Sequence, residues 1–575
     1  MGCGSSTRVE TLQKTNGNQE TFTSRVPPRE NSSVLQTHLA PPRLKKKDII
    51  PDLNMFAAID RHALEAPTRV RASPEDLVAY LIQPARNDLE KVRAFYRWIT
   101  NNISYDVEGF FSGNHKPGDP QSVLQSGTAV CQGYGDLFDN FCKLAHIPCH
   151  VVSGFAKGYS YNPEIPYTAT SKTNHAWNIV LVKGEWRLVE CTWGAGFLAD
   201  KMFKKEFTEV YFLTDPELFV HAHFPFMNGD ESASRAFQLM KRPISLNEYN
   251  RNVNLMKYGL EWDVEMLSHR EQFVTVNKEV DIILQGRRQQ LLDVMCHLNE
   301  SVSKKDYNNF AMVKRTTDGK FSIHIRPPIP GKYDLMIFGK VNENERQYQS
   351  IVKYIIVSSG TSSSRQPYPE HKGAWGAKQV AVECGFNRNI FSHSVFTCNN
   401  GEFELSLVIT DHTPVSCQLE FAEGSDSLDR YMQMTRPPHY VNIKARLNNV
   451  GFYAIKLFAG KPESTTHEYV GSFLIDNKKP TPNYHPFPYY WSSAHKHHCI
   501  ILEPANGDLV VNESTLLRCI APSMKRLMVD KKVFTNTNGD IFEIPMEPKS
   551  KGDFTIYGSI EDSGSLNALF KFQVV

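Results

Sequence analysis

The chain has 575 residues, 41% of them apolar and 11% aromatic, with a formal net charge of +2. A chain this long exceeds one hydrophobic core and implies about three to five domains. The near-balance of acids and bases leaves no electrostatic case for nucleic acid, and no run of about 18 apolar residues is present to span a membrane.

The eleven cysteines are an odd number, scattered and without a CxxC pair. The N-terminus lacks the apolar core of a secretory signal. Both features favour free thiols in a reducing cytosol. The first residues, MGCGSST, instead match the myristoylation pattern, with Gly2 as acceptor and Ser6 at the required position. One acyl chain binds membranes only marginally, so Cys3 (by palmitoylation) and the basic run Lys45-Lys46-Lys47 are the candidate second signals. Residues 4–47 are polar and lack aliphatic periodicity. A disordered, acylated leader is expected over residues 1–47, tethering the folded part to the inner surface of a membrane.

Three helices follow by pattern. SPEDLVAYLI (73–82) opens with Ser73 as N-cap and Pro74 in the first turn. In the segment 87–106, Leu89, Val92, Phe95, Tyr96 and Ile99 share one face. In TAVCQGYGDLFDNFC, Tyr134, Leu137, Phe138, Phe141 and Leu144 recur at spacings of three and four, which predicts a helix over about 131–145. Cys131 then sits in its first turn, where exposed N–H groups and the positive end of the helix dipole favour a thiolate. A buried filler and a metal ligand are the alternatives for this cysteine. Cys142 and Cys149 lack that setting and read as core fillers.

CHVVSGFA (149–156) predicts a strand. NHAWNIVLVKGEWRLVECTWG (174–194) predicts a hairpin turning at Lys183-Gly184. With a two-residue loop, Val182 opposes Glu185 and Trp177 opposes Glu190. His175 and Glu190 are then diagonal neighbours on one face. A thiol nucleophile needs a base and a carboxylate to orient it, and this hairpin offers both.

GTAVCQGYGDLFDNFC, NHAWNIV and RLVECTWGAG resemble the three motifs of the transglutaminase-like fold, a papain-related cysteine fold. TWGAG after the acid, FLTDPELFVHAHFP (212–225) and WDVEMLSHREQF narrow the resemblance to the kyphoscoliosis peptidase and hillarin branch, cytoskeletal proteins of animals. The resemblance implies an α+β papain-like core over residues 48–250. It makes Cys131 the nucleophile, His175 the base and Glu190 the orienting acid, where the family usually carries Asp. Gln132, Trp98 and Tyr105 are candidates for the oxyanion site or pocket. The implied function is a cytoskeleton-associated cysteine peptidase acting on protein amides. A protein-glutamine transamidase and a catalytically weak, membrane-tethered adaptor are the alternatives. Cytoskeletal proteins are the implied substrates or ligands. No cofactor and no metal is expected.

In the C-terminal half, GKYDLMIFGK, GFYAIKLFAGK and GDFTIYGS share a Gly-x-aromatic start and lie roughly 100–120 residues apart, the size of an immunoglobulin-like sandwich. All-β sandwiches are expected over 255–358, 373–478 and 485–575. SSGTSSSRQP (358–367) reads as a linker. TPNYHPFPYYW (481–491) reads as a docking segment or as packing between sandwiches. HKHHC (495–499) reads as a strand with His495, His497 and Cys499 on one face, surface residues rather than a metal site.

Overall fold

The computed structural model describes residues 39–575 apart from 343–344, 361–364, 393, 411–412, 425, 462–465 and 536–538. Gly2 and Cys3 lie outside the described residues. The chain divides into two compact units. One runs to Val264 and includes Arg270–Gln272 and Ser350–Lys353; the other comprises Glu265–His269, Phe273–Gln349 and Tyr354–Val575. Among the described residues, no helix is long and apolar enough to cross a membrane.

The first unit is α+β. Helix α1 (Pro74–Leu81) starts where Ser73 accepts the Asp76 N–H, with Pro74 inside the first turn. Helix α2 (Asp88–Asn102) is capped by Asn87, and its predicted apolar face is buried at Leu89, Val92, Phe95, Tyr96 and Ile99. Helix α3 (Cys131–Leu144) buries Tyr134, Leu137, Phe138 and Phe141. These faces meet in one core, with Phe95 edge-on to Phe141 at 5.6 Å. Each large apolar side chain taken from water there contributes about 1.5–3 kcal/mol.

The helices pack on a sheet of β1 (Cys149–Ala156), β2 (His175–Val182), β3 (Glu185–Val189), β4 (Phe212–Thr214) and β5 (His223–Pro225), in the order β4-β3-β2-β1-β5. The β2–β3 register is the predicted one, with Val182 opposite Glu185. Lys183 and Gly184 turn with φ of 53° and 75°, the positive values that a two-residue hairpin loop demands. The second strand ends earlier than predicted. After Val189 the chain bends into a short helix, α4 (Cys191–Ala195), and Glu190 is its N-cap.

The expected leader boundary at residue 47 falls inside a docked segment. The Arg43 and Leu44 N–H groups donate to Glu185 at 3.0 and 3.4 Å, and the Lys46 N–H donates to Asp215 at 2.7 Å. Lys45 pairs with Glu217 at 2.8 Å, and Lys46 Nζ donates to the Glu209 carbonyl. Two of the three lysines expected to face a membrane are therefore committed to the protein itself.

The second unit is all β. Each repeated Gly-x-aromatic motif opens a long strand, at Gly331–Lys340, Gly451–Gly460 and Gly552–Ser559, paired with the strand after it. The glycines have a reason: φ is 152°, 135° and 123° at Gly331, Gly451 and Gly552, values that side chains rarely adopt. The aromatic residue also has one. Tyr333 donates to the Ile329 carbonyl at 2.8 Å, and Tyr453 donates to the Asn449 carbonyl at 3.3 Å, each closing a tyrosine corner four residues back. Phe554 in the third repeat has no hydroxyl to do so.

The first two sandwiches share a sheet. Strand Ala374–Ala377 pairs in parallel with Ala311–Arg315 and antiparallel with His467–Asn477, so hydrogen bonding runs continuously across both. Asp293 secures that strand, accepting from the Ala374 N–H at 2.8 Å and Lys378 Nζ at 2.6 Å. The far end of the expected linker is also tied: Arg365 donates to the Pro327 carbonyl and Gln366 to that of Val450. In 481–491, Tyr484 stacks on Tyr431 at 4.0 Å and Tyr489–Tyr490 pairs with Asn567–Val574, so this segment packs. HKHHC is not a strand. Ser492–Lys496 is a helical turn, His495 stacks on Tyr490, and Cys499 is buried.

The corner and the glycine make separable predictions for the second sandwich. Tyr453→Phe should cost about 1–3 kcal/mol, the worth of the two hydrogen bonds its hydroxyl makes with the Asn449 carbonyl and N–H. Gly451→Ala should cost about 1–3 kcal/mol through backbone strain. Hydrogen exchange of the 451–460 strand in the full chain reads both. Unchanged protection in Gly451→Ala would contradict the φ argument.

Candidate active site

Cys131 is placed by a short parallel pairing just before it. Thr128 and Ala129 pair with Ser104 and Tyr105, and the Asp106 N–H donates to the Ala129 carbonyl at 2.9 Å. The chain then enters α3 through Val130, whose side chain caps none of the first-turn N–H groups. The helix head at Cys131 thus keeps its partial positive charge.

His175 opens β2, opposite Gly154 of β1. A Cβ at Gly154 would lie 2.2 Å from the Phe224 carbonyl oxygen, so only glycine lets β1 and β5 approach here. Asn174 fixes the strand start by accepting from the Ala156 N–H at 2.8 Å and donating to its carbonyl at 3.0 Å. Glu190, with no exposed surface, receives the Thr192 N–H at 2.7 Å on Oε1 and the Trp193 N–H at 3.2 Å on Oε2. His175 Nε2 lies 2.9 Å from Glu190 Oε2. The extra methylene of Glu, relative to the Asp usual in the resembled family, does not carry the carboxylate out of reach.

With Nε2 engaged, Nδ1 is the ring atom left for sulfur, and the Cys131 thiol lies within hydrogen-bonding reach of the imidazole and of the Ala176 N–H. The electrostatics follow from these contacts. Burial would raise the Cys131 pKa, but the His175 charge and hydrogen bond outweigh it and the pKa falls. Burial would lower that of His175, but Glu190 and Cys131 hold its proton and raise it. Burial would raise that of Glu190, but His175 drives it down to about 2. The arrangement is a thiol of lowered pKa, an imidazole that holds its proton and a carboxylate, in a row. Elsewhere burial pushes the Cys296, Cys417, Cys499 and Cys519 thiols up to about 12, and raises those of Cys142 and Cys191 well above the ordinary value.

His175 opens onto a groove walled by Tyr105, Phe110, Trp193, Phe197 and Phe203, with Lys157 and Tyr159 also lining it. Of the three pocket candidates, Tyr105 is in this wall. Trp98 is not: it is 1% exposed and packs against Phe141 in the core. Gln132 turns outward and donates to Asp136 at 2.9 Å. Cys142 is buried in the core.

Three features had no sequence signal strong enough to select them. The Thr192 and Trp193 amides act on Glu190 only because the chain bends into α4. Asn174 acts through backbone groups of a neighbouring strand. His223, in the stretch FVHAHFP, brings Nε2 to 3.7 Å from Glu190 Oε2. Ligand atoms of His175, Glu190 and His223 lie within 4.8 Å of one another, the one group of metal-ligating type among the described residues.

Residues 75–191, which contain Cys131, His175 and Glu190, match the Transglutaminase-like superfamily. Residues 247–369 and 385–488 match the KY-like, immunoglobulin-like domain. Kyphoscoliosis peptidase of Mus musculus is 27% identical over 489 residues, 83% of this chain and 70% of that protein. The Homo sapiens protein of the same name is 26% identical over 501 residues, 85% of this chain and 71% of that one. Hillarin of Drosophila melanogaster is 30% identical over 240 residues, 39% of this chain and 28% of its own length. The chain thus joins a transglutaminase-like core to KY-like immunoglobulin-like domains, with kyphoscoliosis peptidase and hillarin as homologues.

Proposed function

We propose that the first unit performs acyl transfer on protein amides, with hydrolysis as the outcome. The observation that carries this reading is the His175 imidazole held between Glu190 and Cys131. In the reaction, Cys131 sulfur attacks the amide carbonyl carbon and a tetrahedral oxyanion forms. The carbon–nitrogen bond breaks, and the leaving amine takes the His175 proton. A thioester on Cys131 remains. Water, giving its proton to His175, attacks the thioester and releases a carboxylic acid and the thiolate. A lysine amine taking the place of water would make the same chemistry a transamidation. The names of two relatives, each a peptidase, favour water. Glu190 holds the ring and balances its charge throughout.

The resemblance to cytoskeletal proteins supports cytoskeletal proteins as substrates or ligands. The Gly2 and Cys3 pattern supports attachment to the cytoplasmic face of a membrane through acyl chains.

Alkylation by iodoacetamide across pH tests the thiolate. Cys131 should reach half-maximal labelling well below pH 8, against about 8.5 for an ordinary thiol, and Cys131→Ala should lose that labelling. Labelling that rises only near pH 8.5 sinks the catalytic reading and leaves a binding module.

Glu190→Gln should move the labelling midpoint upward. Without the carboxylate, His175 releases its proton at lower pH, and the thiolate loses its counter-charge. Turnover of a protein substrate should fall about 10²–10⁴-fold in this variant. Release of new carboxyl termini identifies hydrolysis. Incorporation of a labelled primary amine without such release would replace it with transamidation.

A further inference from the structure

His223 stands outside the trio and yet faces its carboxylate. It opens β5 opposite Ala156 of β1 and is 1% exposed. Its ring stacks on Phe219 at 4.0 Å and 16°, with Trp193 at 4.5 Å and Trp177 at 5.2 Å. Burial lowers its pKa to about 4, so the ring is neutral near pH 7. Among the described residues, neither ring nitrogen makes a hydrogen bond of good geometry, although Glu190 and the Phe219 backbone lie near them. Buried polar groups nearly always have one, so this imidazole needs an explanation.

A cation shared by His175, Glu190 and His223 is one explanation, and the geometry argues against it. Ligands about 2.0–2.1 Å from a tetrahedral metal stand about 3.3 Å apart. His175 Nε2 and Glu190 Oε2 are 2.9 Å apart, a hydrogen-bond separation. The aromatic rings around His223 are also poor company for the water a fourth position would need.

We propose that His223 is a positioning residue for Glu190, closing the flank of the carboxylate and keeping Oε2 aimed at His175. Glu has one more rotatable bond than Asp, and its carboxylate must not swing. The Thr192 and Trp193 amides grip it from α4 and His175 from β2. On the side facing β5 stands His223, with Nε2 at 3.7 Å. With its one proton on Nε2, the neutral ring presents partial positive charge to Oε2 and, fixed by Phe219, blocks rotation away from His175. The role thus offsets the longer acid. It rests on the acyl-transfer reading above.

The pH profile of Cys131 alkylation in the full chain tests it. His223→Phe keeps the stacking and removes both nitrogens; His223→Gln returns an N–H. The Phe form should label half-maximally about one pH unit higher, a roughly fivefold loss of thiolate at the wild-type midpoint. The Gln form should recover most of that shift. Should the Phe form not fold, as read by near-ultraviolet circular dichroism, His223→Leu serves the same comparison. A Phe or Leu profile lying on the wild-type curve overturns the proposal. So do equal shifts in the apolar and Gln forms, which mark packing alone. A visible Co²⁺ absorption band in the wild-type protein, lost in His223→Phe, overturns it in favour of a metal seat. Failure of the acyl-transfer reading looks different: the wild-type midpoint itself sits near pH 8.5 before any change at His223, and the proposal falls with it.

Discussion

A carboxylate with no exposed surface stays charged only if the protein replaces its water, and Glu190 is such a group. Its replacement solvent is two backbone N–H groups and one imidazole. The charge retained there holds a proton on His175, and that proton supports a thiolate on Cys131. Each link depends on the one behind it. Removing the carboxylate strands the imidazolium, and removing the imidazole strands a buried anion. The same carboxylate caps α4, so one residue fixes a backbone bend and a charge relationship together.

The scaffold's contribution is convergence. Cys131 is delivered by a helix head pinned through Thr128 and Ala129. His175 is delivered by a strand start locked through Asn174, and Glu190 by a strand end. These are points where regular structure begins or stops, so the side chains project past the sheet while the rigid elements hold their backbones. In the other unit, glycines at positive φ and tyrosine corners repeat, and one continuous sheet joins the first two sandwiches. Domains sharing ladder hydrogen bonds bend against one another less freely than domains on a flexible linker.

Much of this was legible in the sequence. Helix faces, the hairpin register and the three Gly-x-aromatic starts follow from periodicity and turn chemistry, which are local. The diagonal placement of His175 and Glu190 was legible because a two-residue loop admits a single register. What stayed hidden was set by chain direction or distant packing. Glu is not a favoured N-cap, so the bend after Val189 leaves no signal in the sequence, where the hairpin pattern runs on to 194. Trp98 looks like a pocket residue until the core claims it. The docking of residues 43–46 depends on Glu185, Asp215 and Glu217, acids far along the chain whose positions no local pattern reveals. HKHHC hides its conformation for a similar reason, since five residues are too few for a strand or helix period to show.

The central claim is the charge state of one imidazole in the resting protein, and nitrogen-15 NMR of the His175 ring reads it directly. At neutral pH the account predicts the imidazolium pattern, with both ring nitrogens protonated, reverting to a neutral ring when Glu190 is replaced by Gln. A neutral His175 in the unmodified protein at that pH would contradict it.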